Sequence, residues 1–267
     1  MKEVWRFRAL LLNFVVRELK LKYRGSLLGW LWALLAPALS LMVYAIVFGI
    51  FLRVEPRVAG NDTLRSFPLF LFCGLIVWNF FSSVVNRSMT WLIDAGPLLR
   101  KAYFPAEIPV VAGTIASIAQ LVLETLVLVV VMTVLGNVAV TALLMLPLMI
   151  CMVAVTLGIS LILSLLNAYY RDVSHLTGIA LTVVFYAIPL VYPIEIVPER
   201  IGEWFPARAI IRLNPLTQLV ESSRDILYDL DVPSFERMLA LLVSSSLILA
   251  VGWLVFRRYS HRLSEEL

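Results

Sequence analysis

The chain has 267 residues, 61% of them hydrophobic and only 15% charged, with a formal net charge of +4. So few polar side chains cannot cover so large an apolar share, which excludes a soluble globular domain and leaves an integral membrane protein. Cys73 and Cys151 each sit in an apolar stretch with no CxxC or Cys/His cluster, so packed thiols are expected rather than a disulfide framework or a metal site.

The chain opens on a basic lead, residues 1–26, holding Lys2, Arg6, Arg8, Arg17, Lys20, Lys22 and Arg24. Leu10, Leu11, Phe14, Val15 and Leu19 fall near one helical face, and Arg17, Lys20 and Arg24 lie largely elsewhere. This pattern predicts an amphipathic helix in the cytoplasmic interface, its cations among anionic head groups. The alternative, a solvated basic tail, leaves the apolar stripe exposed. Gly25 and Gly29 let the chain bend from that surface into the first span, where Pro37 adds a local bend. The apolar run that follows is about 25 residues long and bulky, which suits a retained span and not a cleavable signal.

A bilayer core about 30 Å thick needs about 20 apolar residues per helix. Six stretches qualify: 27–52, 67–85, 108–135, 139–166, 176–196 and 238–256. They are continuous rather than alternating, so the expected fold is all-α with six transmembrane helices, not a barrel. Between them, DAGPLLRKAYFPAEIP (94–109) is a short proline-bounded segment on the side of the basic lead. Residues 193–233 lie on the other side and read as two short helices. In the second, Leu216, Leu219, Val220, Leu227 and Leu230 form an apolar stripe, and Asn214-Pro215 supplies an N-cap and a first-turn proline. Such a helix should dip into the membrane or rest on the spans.

Basic residues decide the orientation. Arg100, Lys101, Arg171, Arg257, Arg258 and Arg262 share the side of the lead. The opposite side has Arg53, Arg57 and Arg65, then a segment where Glu195, Glu199, Glu203, Asp225, Asp229, Asp231 and Glu236 offset its arginines. Both termini are therefore expected in the cytoplasm. No internal repeat or linker interrupts the chain, so 1–267 reads as a single domain.

Few residues can carry chemistry. Glu124 is nearly the only ionisable group inside a span, with Gln120 one turn earlier. Two roles are open for it: proton coupling, or a protonated or paired carboxylate that joins helices. No second acid or histidine in a span continues a proton path, which favours the second. His175, beside Arg171 and Asp172, reads as an interfacial polar residue. The chain has no GxxxxGK[ST], GxSxG or HExxH motif and no Asp-rich loop, so no catalytic, cofactor-binding or metal residues are expected. Trp30, Trp32, Trp78, Phe80, Phe81, Trp91 and Trp204 suit an interfacial aromatic belt. Trp30, with Tyr44 and Phe48 one turn apart in the first span, is also a candidate for a channel wall on which sugar faces slide.

Four stretches occur in order: KYRGSLLGWLWALLAPAL (22–39), LLRKAYFPAEIPVVAG (98–113), LNAYYRDVSHL (166–176), and VYPIEIVPERI with LNPLTQLVESSR across 191–224. Together they resemble the membrane-spanning permease of ATP-binding-cassette exporters for bacterial polysaccharides, a type-2 ABC exporter family. Its members move lipid-linked O antigen, capsular polysaccharide or teichoic acid. Ala106 departs from the basic residue that commonly precedes the glutamate of the second stretch.

The resemblance implies a homodimer in the bacterial inner membrane, docked to two copies of a separate ATP-binding subunit that carries ATP and Mg. This chain would then be a transport subunit and not an enzyme, with lipid-linked polysaccharide as cargo, membrane lipids around it and no nucleic acid. It also implies a coupling helix near 97–104, where Leu99, Arg100, Lys101 and Tyr103 contact the ATPase, and a second contact from 167–175 through Arg171 and Asp172. The helices within 193–233 would form an external gate. Ordinary positive-inside anchoring equally explains Arg100 and Lys101. An exporter of drugs or single lipids, a membrane enzyme of lipid-linked glycan synthesis and a proton-coupled carrier remain as alternatives.

Overall fold

The computed structural model describes residues 6–22, 24–54, 58–62, 64–200 and 206–260. The expected contributions of Lys2, Arg57, Glu203, Trp204 and Arg262 lie outside these. The described residues form no strand, only an isolated bridge between Val58 and Arg65. The helices are α1 (Arg8–Lys22), α2 (Trp32–Tyr44), α3 (Phe67–Asp94), α4 (Gly96–Leu99), α5 (Ile108–Val134), α6 (Met145–Tyr169), α7 (Val173–Ala187), α8 (Ala207–Leu213), α9 (Pro215–Leu227) and α10 (Phe235–Tyr259). A 3₁₀ turn, Gly29–Leu31, leads into α2, a π-helical segment, Ala45–Phe51, extends it, and Val140–Leu144 leads into α6.

Five helical runs among the described residues are long and apolar enough to cross a membrane: Gly29–Phe51, Phe67–Asp94, Ile108–Val134, Val140–Tyr169 and Phe235–Tyr259. The stretch 176–196 differs from expectation, because its helix α7 has 15 residues and stops at Ala187. Ile188 precedes Pro189 and takes an extended conformation, and proline has no N–H to continue the ladder. At 1.5 Å per residue α7 is about 22 Å long, short of the bilayer core. Residues 188–190 are instead buried irregular backbone, tolerated at membrane depth only when protein surrounds it.

The 28-residue α3 is the central post. It is apolar almost all round and buried almost all round, as that composition demands. Phe72, Cys73, Ile76 and Val84 pack with Leu121 and Leu128 of α5, Leu148, Met152 and Val155 of α6, and Leu219 and Val220 of α9. Small residues set the closest approaches. A Cβ on Gly158 of α6 would lie 2.6 Å from the Ile248 carbonyl of α10, and one on Gly252 would meet the Gly158 carbonyl. Gly113 of α5 gives its place to the Trp91 indole of α3. By contrast α2 buries only Ala33 and Pro37, and α7 only Thr177 and Leu181.

The elbow after α1 is real: Gly25 and Gly29 have φ of 75° and 51°. The apolar stripe of α1 has a different neighbour from the one expected. Phe14 packs with Ala95, Phe104, Ile108 and Ala112, flanked by Leu10, Leu11 and Val15, so the stripe faces protein. Leu12, Val16 and Leu21 are the large exposed apolar residues of α1.

Candidate functional site

The turn between α3 and α5 stands out from the bundle. Its helix covers only Gly96–Leu99, with hydrogen-bonded turns continuing to Ala102, rather than 97–104. Pro105 keeps Phe104 out of helical conformation, which sets the outer limit of this turn. Arg100 and Lys101 are exposed, and Tyr103 is 94% exposed. Leu99 turns inward, half-buried beside the Leu92–Phe256 cluster, and Leu98 is the exposed leucine. Phe104 roots the turn, its ring 6.0 Å from Phe14 of α1. Buried Glu107 lies 3.6 Å from Arg257 at the end of α10.

The loop between α6 and α7 emerges at the same end. Arg171 and Asp172 are exposed. Buried Asn167 holds the hairpin: its Nδ2 donates to the Met89 carbonyl of α3 (3.1 Å), and its Oδ1 accepts from the Ser174 N–H (3.1 Å). Two protruding segments, each fixed by a buried residue, thus share one face of the bundle. Asn167 lay within the quoted third stretch but carried no assigned role, since an asparagine next to a loop is unremarkable in sequence.

Glu124 belongs to a cleft of about 140 Å³ between α1, α3 and α5. Its Oε1 accepts from Gln120 Nε2 (3.0 Å) and its Oε2 from Asn79 Nδ2 (3.4 Å). Lys22 of α1 donates to Gln120 Oε1 (3.2 Å). Burial pushes the Lys22 ammonium below its ordinary range, Arg87 adds to this, and Glu124 opposes it. At the mouth, Glu18 of α1 accepts from Arg87 (3.1 Å) and from Trp91 Nε1 (2.9 Å). The arrangement ties α1 to two spans, with the carboxylate surrounded by donors. Trp91 is therefore a packed hydrogen-bonding residue, and Trp78, Phe80 and Phe81 are buried too. These four do not form an interfacial belt. Trp30 and Trp32 are exposed.

The three proposed channel aromatics are not brought together. Trp30 is surface-exposed near the start of α2, while Tyr44 and Phe48 are half-buried against the core. Their rings, 6.4 Å apart, continue as a row through Phe67 (5.3 Å from Phe48) and Phe70 (6.2 Å from Phe67) to Tyr228 (5.6 Å from Phe70). At this end, α9 is sunk among the spans. Its stripe is Leu216, Leu219, Val220, Ile226 and Leu227, whereas Leu230 lies beyond the helix with φ 56°. Asn214 caps it as expected, accepting from the Leu216 N–H at 2.9 Å. Side chains from the α5–α6 connection grip its far end: Asn137 donates to the carbonyls of Leu227 (3.2 Å) and Tyr228 (3.0 Å), and Thr141 to that of Ile226 (3.1 Å).

Residues 10–228 match the family described as ABC-2 type transporter. The O-antigen export system permease protein RfbA of Myxococcus xanthus is 29% identical over 268 residues, covering 100% of this chain and 98% of its own. A protein of the same name from Klebsiella pneumoniae is 27% identical over 258 residues, covering 96% and 94%. The polysialic acid transport protein KpsM of Escherichia coli is 29% identical over 220 residues, covering 79% and 78%.

Proposed function

This chain belongs to the ABC-2 type transporter family, and from that premise we propose that it is the permease of an ATP-driven exporter of lipid-linked polysaccharide. The cargo is of the O-antigen or capsule type and moves from the cytoplasmic to the outer face of the bacterial inner membrane. The observation that carries this reading is similarity, across the whole chain, to a permease named for O-antigen export. The ATP-binding subunit is a separate chain, and two permeases pair with two of its copies. Both termini and the α4 turn face the cytoplasm, as the placement of arginine and lysine favours.

In this arrangement the α4 turn is the lever. Exposed Arg100, Lys101 and Tyr103 enter a cleft of the ATPase, with Arg171 and Asp172 as a second contact. What supports the lever is the contrast between those exposed tips and their buried roots, Phe104, Glu107 and Asn167. A tip on a rigid root passes a displacement into α3 and α5. ATP can then shift the permease only by binding better to one packing of the spans than to another.

Reversing both charges, Arg100→Glu with Lys101→Glu, tests the docking. Binding of the ATP-binding subunit, measured by co-purification and titration, should weaken about tenfold, the equivalent of 1.4 kcal/mol. Unchanged binding together with unchanged cargo-coupled ATP turnover contradicts this placement of the lever.

A further inference from the structure

Arg224 is the largest charged side chain enclosed by the bundle, with 2% of its surface exposed. It lies on α9, and its planar fork reaches the place where α7 breaks. Nη1 donates to the Pro189 carbonyl (2.7 Å) and Nη2 to the Leu190 carbonyl (2.5 Å). In a continuous helix the Ile194 N–H would bond the Leu190 carbonyl, but Pro193 has no N–H to offer the Pro189 carbonyl, so that acceptor needs an outside donor. The guanidinium carbon stands 4.0 Å from the centroid of the Phe70 ring of α3, and Glu221 approaches to 3.6 Å.

The surroundings are shaped for this side chain. A Cβ at Gly74 of α3 would come within 3.2 Å of Arg224 Nη2, of Leu190 and of Val220. Neighbouring Ser223 donates to the Cys73 carbonyl at 2.9 Å, fixing α9 to α3. Asn137 and Thr141 hold the carbonyls just beyond Arg224, so the C-terminal end of α9 is bound into the packed frame. α7 is held more lightly: it buries two residues, Thr177 and Leu181, and its contacts include Asn167 at one end and, towards the other, Phe185 against Trp78 (5.4 Å) and the Arg224 fork on residues 189 and 190. Only arginine supplies two donors in one plane together with a face that stacks on a ring.

We propose that Arg224 is a positioning residue for transport: it pins the broken outer end of α7 to the frame. The proposal rests on the exporter reading and adds to it a specific coupling point. Loss of the fork frees residues 188–190 and the outer end of α7, while the ATPase-docking turns at the opposite end stay in place. ATP hydrolysis then continues without its share of cargo movement.

The test uses the permease with its ATP-binding subunit in outward-facing vesicles, with Cys73 and Cys151 replaced by alanine and Ile188→Cys as reporter. Buried Ile188 is 1% exposed, so a membrane-impermeant maleimide should label the reporter slowly. In Arg224→Lys, which keeps the charge but not the fork, labelling should accelerate about tenfold or more as the segment opens locally. Glycan moved per ATP hydrolysed should fall, with assembly and hydrolysis retained. Gly74→Ala, which crowds the guanidinium without removing it, should give a smaller change of the same sign and keeps the test open if the lysine variant does not fold. A reporter that stays protected in both variants, or one that opens while glycan per ATP is unchanged, overturns the proposal. A parent complex that moves no glycan overturns the exporter reading instead, and the labelling still decides whether the fork pins α7.

Discussion

At Glu124, the amides of Gln120 and Asn79 donate to the two carboxyl oxygens and Lys22 bonds to Gln120, an arrangement that joins α1, α3 and α5. Glu124→Gln should therefore leave transport largely intact, whereas a proton-coupled carrier would lose it. Glu124→Leu removes the acceptor of the Asn79 amide and leaves Gln120 Nε2 the Ala33 carbonyl (3.5 Å), and a buried unsatisfied group costs about 1–3 kcal/mol, read as a lower thermal midpoint in detergent. Glu221 offers a pH readout. Burial raises its pKa above the ordinary 4.5, with Arg224 the largest opposing influence. A raised carboxyl contributes stability that is complete below its unfolded pKa and is lost as pH rises through the folded one. The thermal midpoint should thus decline as pH rises above 4.5, and Glu221→Gln should flatten that decline; an unchanged slope would show that Glu221 does not set it. The candidacy of Glu124 was legible in sequence from its rarity, but its surroundings were not, since Lys22 and Asn79 lie on other helices.

Among elements, the α6–α10 crossing is the tightest, with Gly158 and Gly252 backbone to backbone. Gly252→Val forces these helices apart, and overpacking of this kind costs about 1–3 kcal/mol or more. Reduced yield of folded permease should follow, while Gly178→Ala, facing open space on α7, should be tolerated. The spans, the Asn214 cap and the Gly25–Gly29 elbow were legible because composition, capping chemistry and backbone freedom are local. The break after Ala187 was only half legible: apolar residues continue to 196, and the warnings were Pro189 and Pro193. The direction of the α1 stripe and the burial of Trp78 and Trp91 were not legible, because an apolar face reads the same whether lipid or protein covers it. Arg224 was missed for a related reason: an arginine in a segment predicted to be external reads as solvated until α9 is seen sunk against α3.

For the molecule as a whole, the frame of α3, α5, α6, α9 and α10 is well packed, and α2 and α7 are lightly held against it. A lightly held span at the edge of a rigid post is a physical basis for two packings of similar stability, which an exporter needs if ATP binding is to choose between them. The turns proposed to meet the ATPase and the Arg224 fork lie at opposite ends of this frame, so force applied at one end reaches the other through whole helices. The most direct measurement is reconstitution of this chain with its ATP-binding subunit in vesicles loaded with lipid-linked glycan on the ATPase side. Glycan should appear on the opposite face only when ATP is hydrolysed, and this chain alone should hydrolyse none. Glycan that stays in its original leaflet while the assembled complex turns over ATP contradicts the exporter reading.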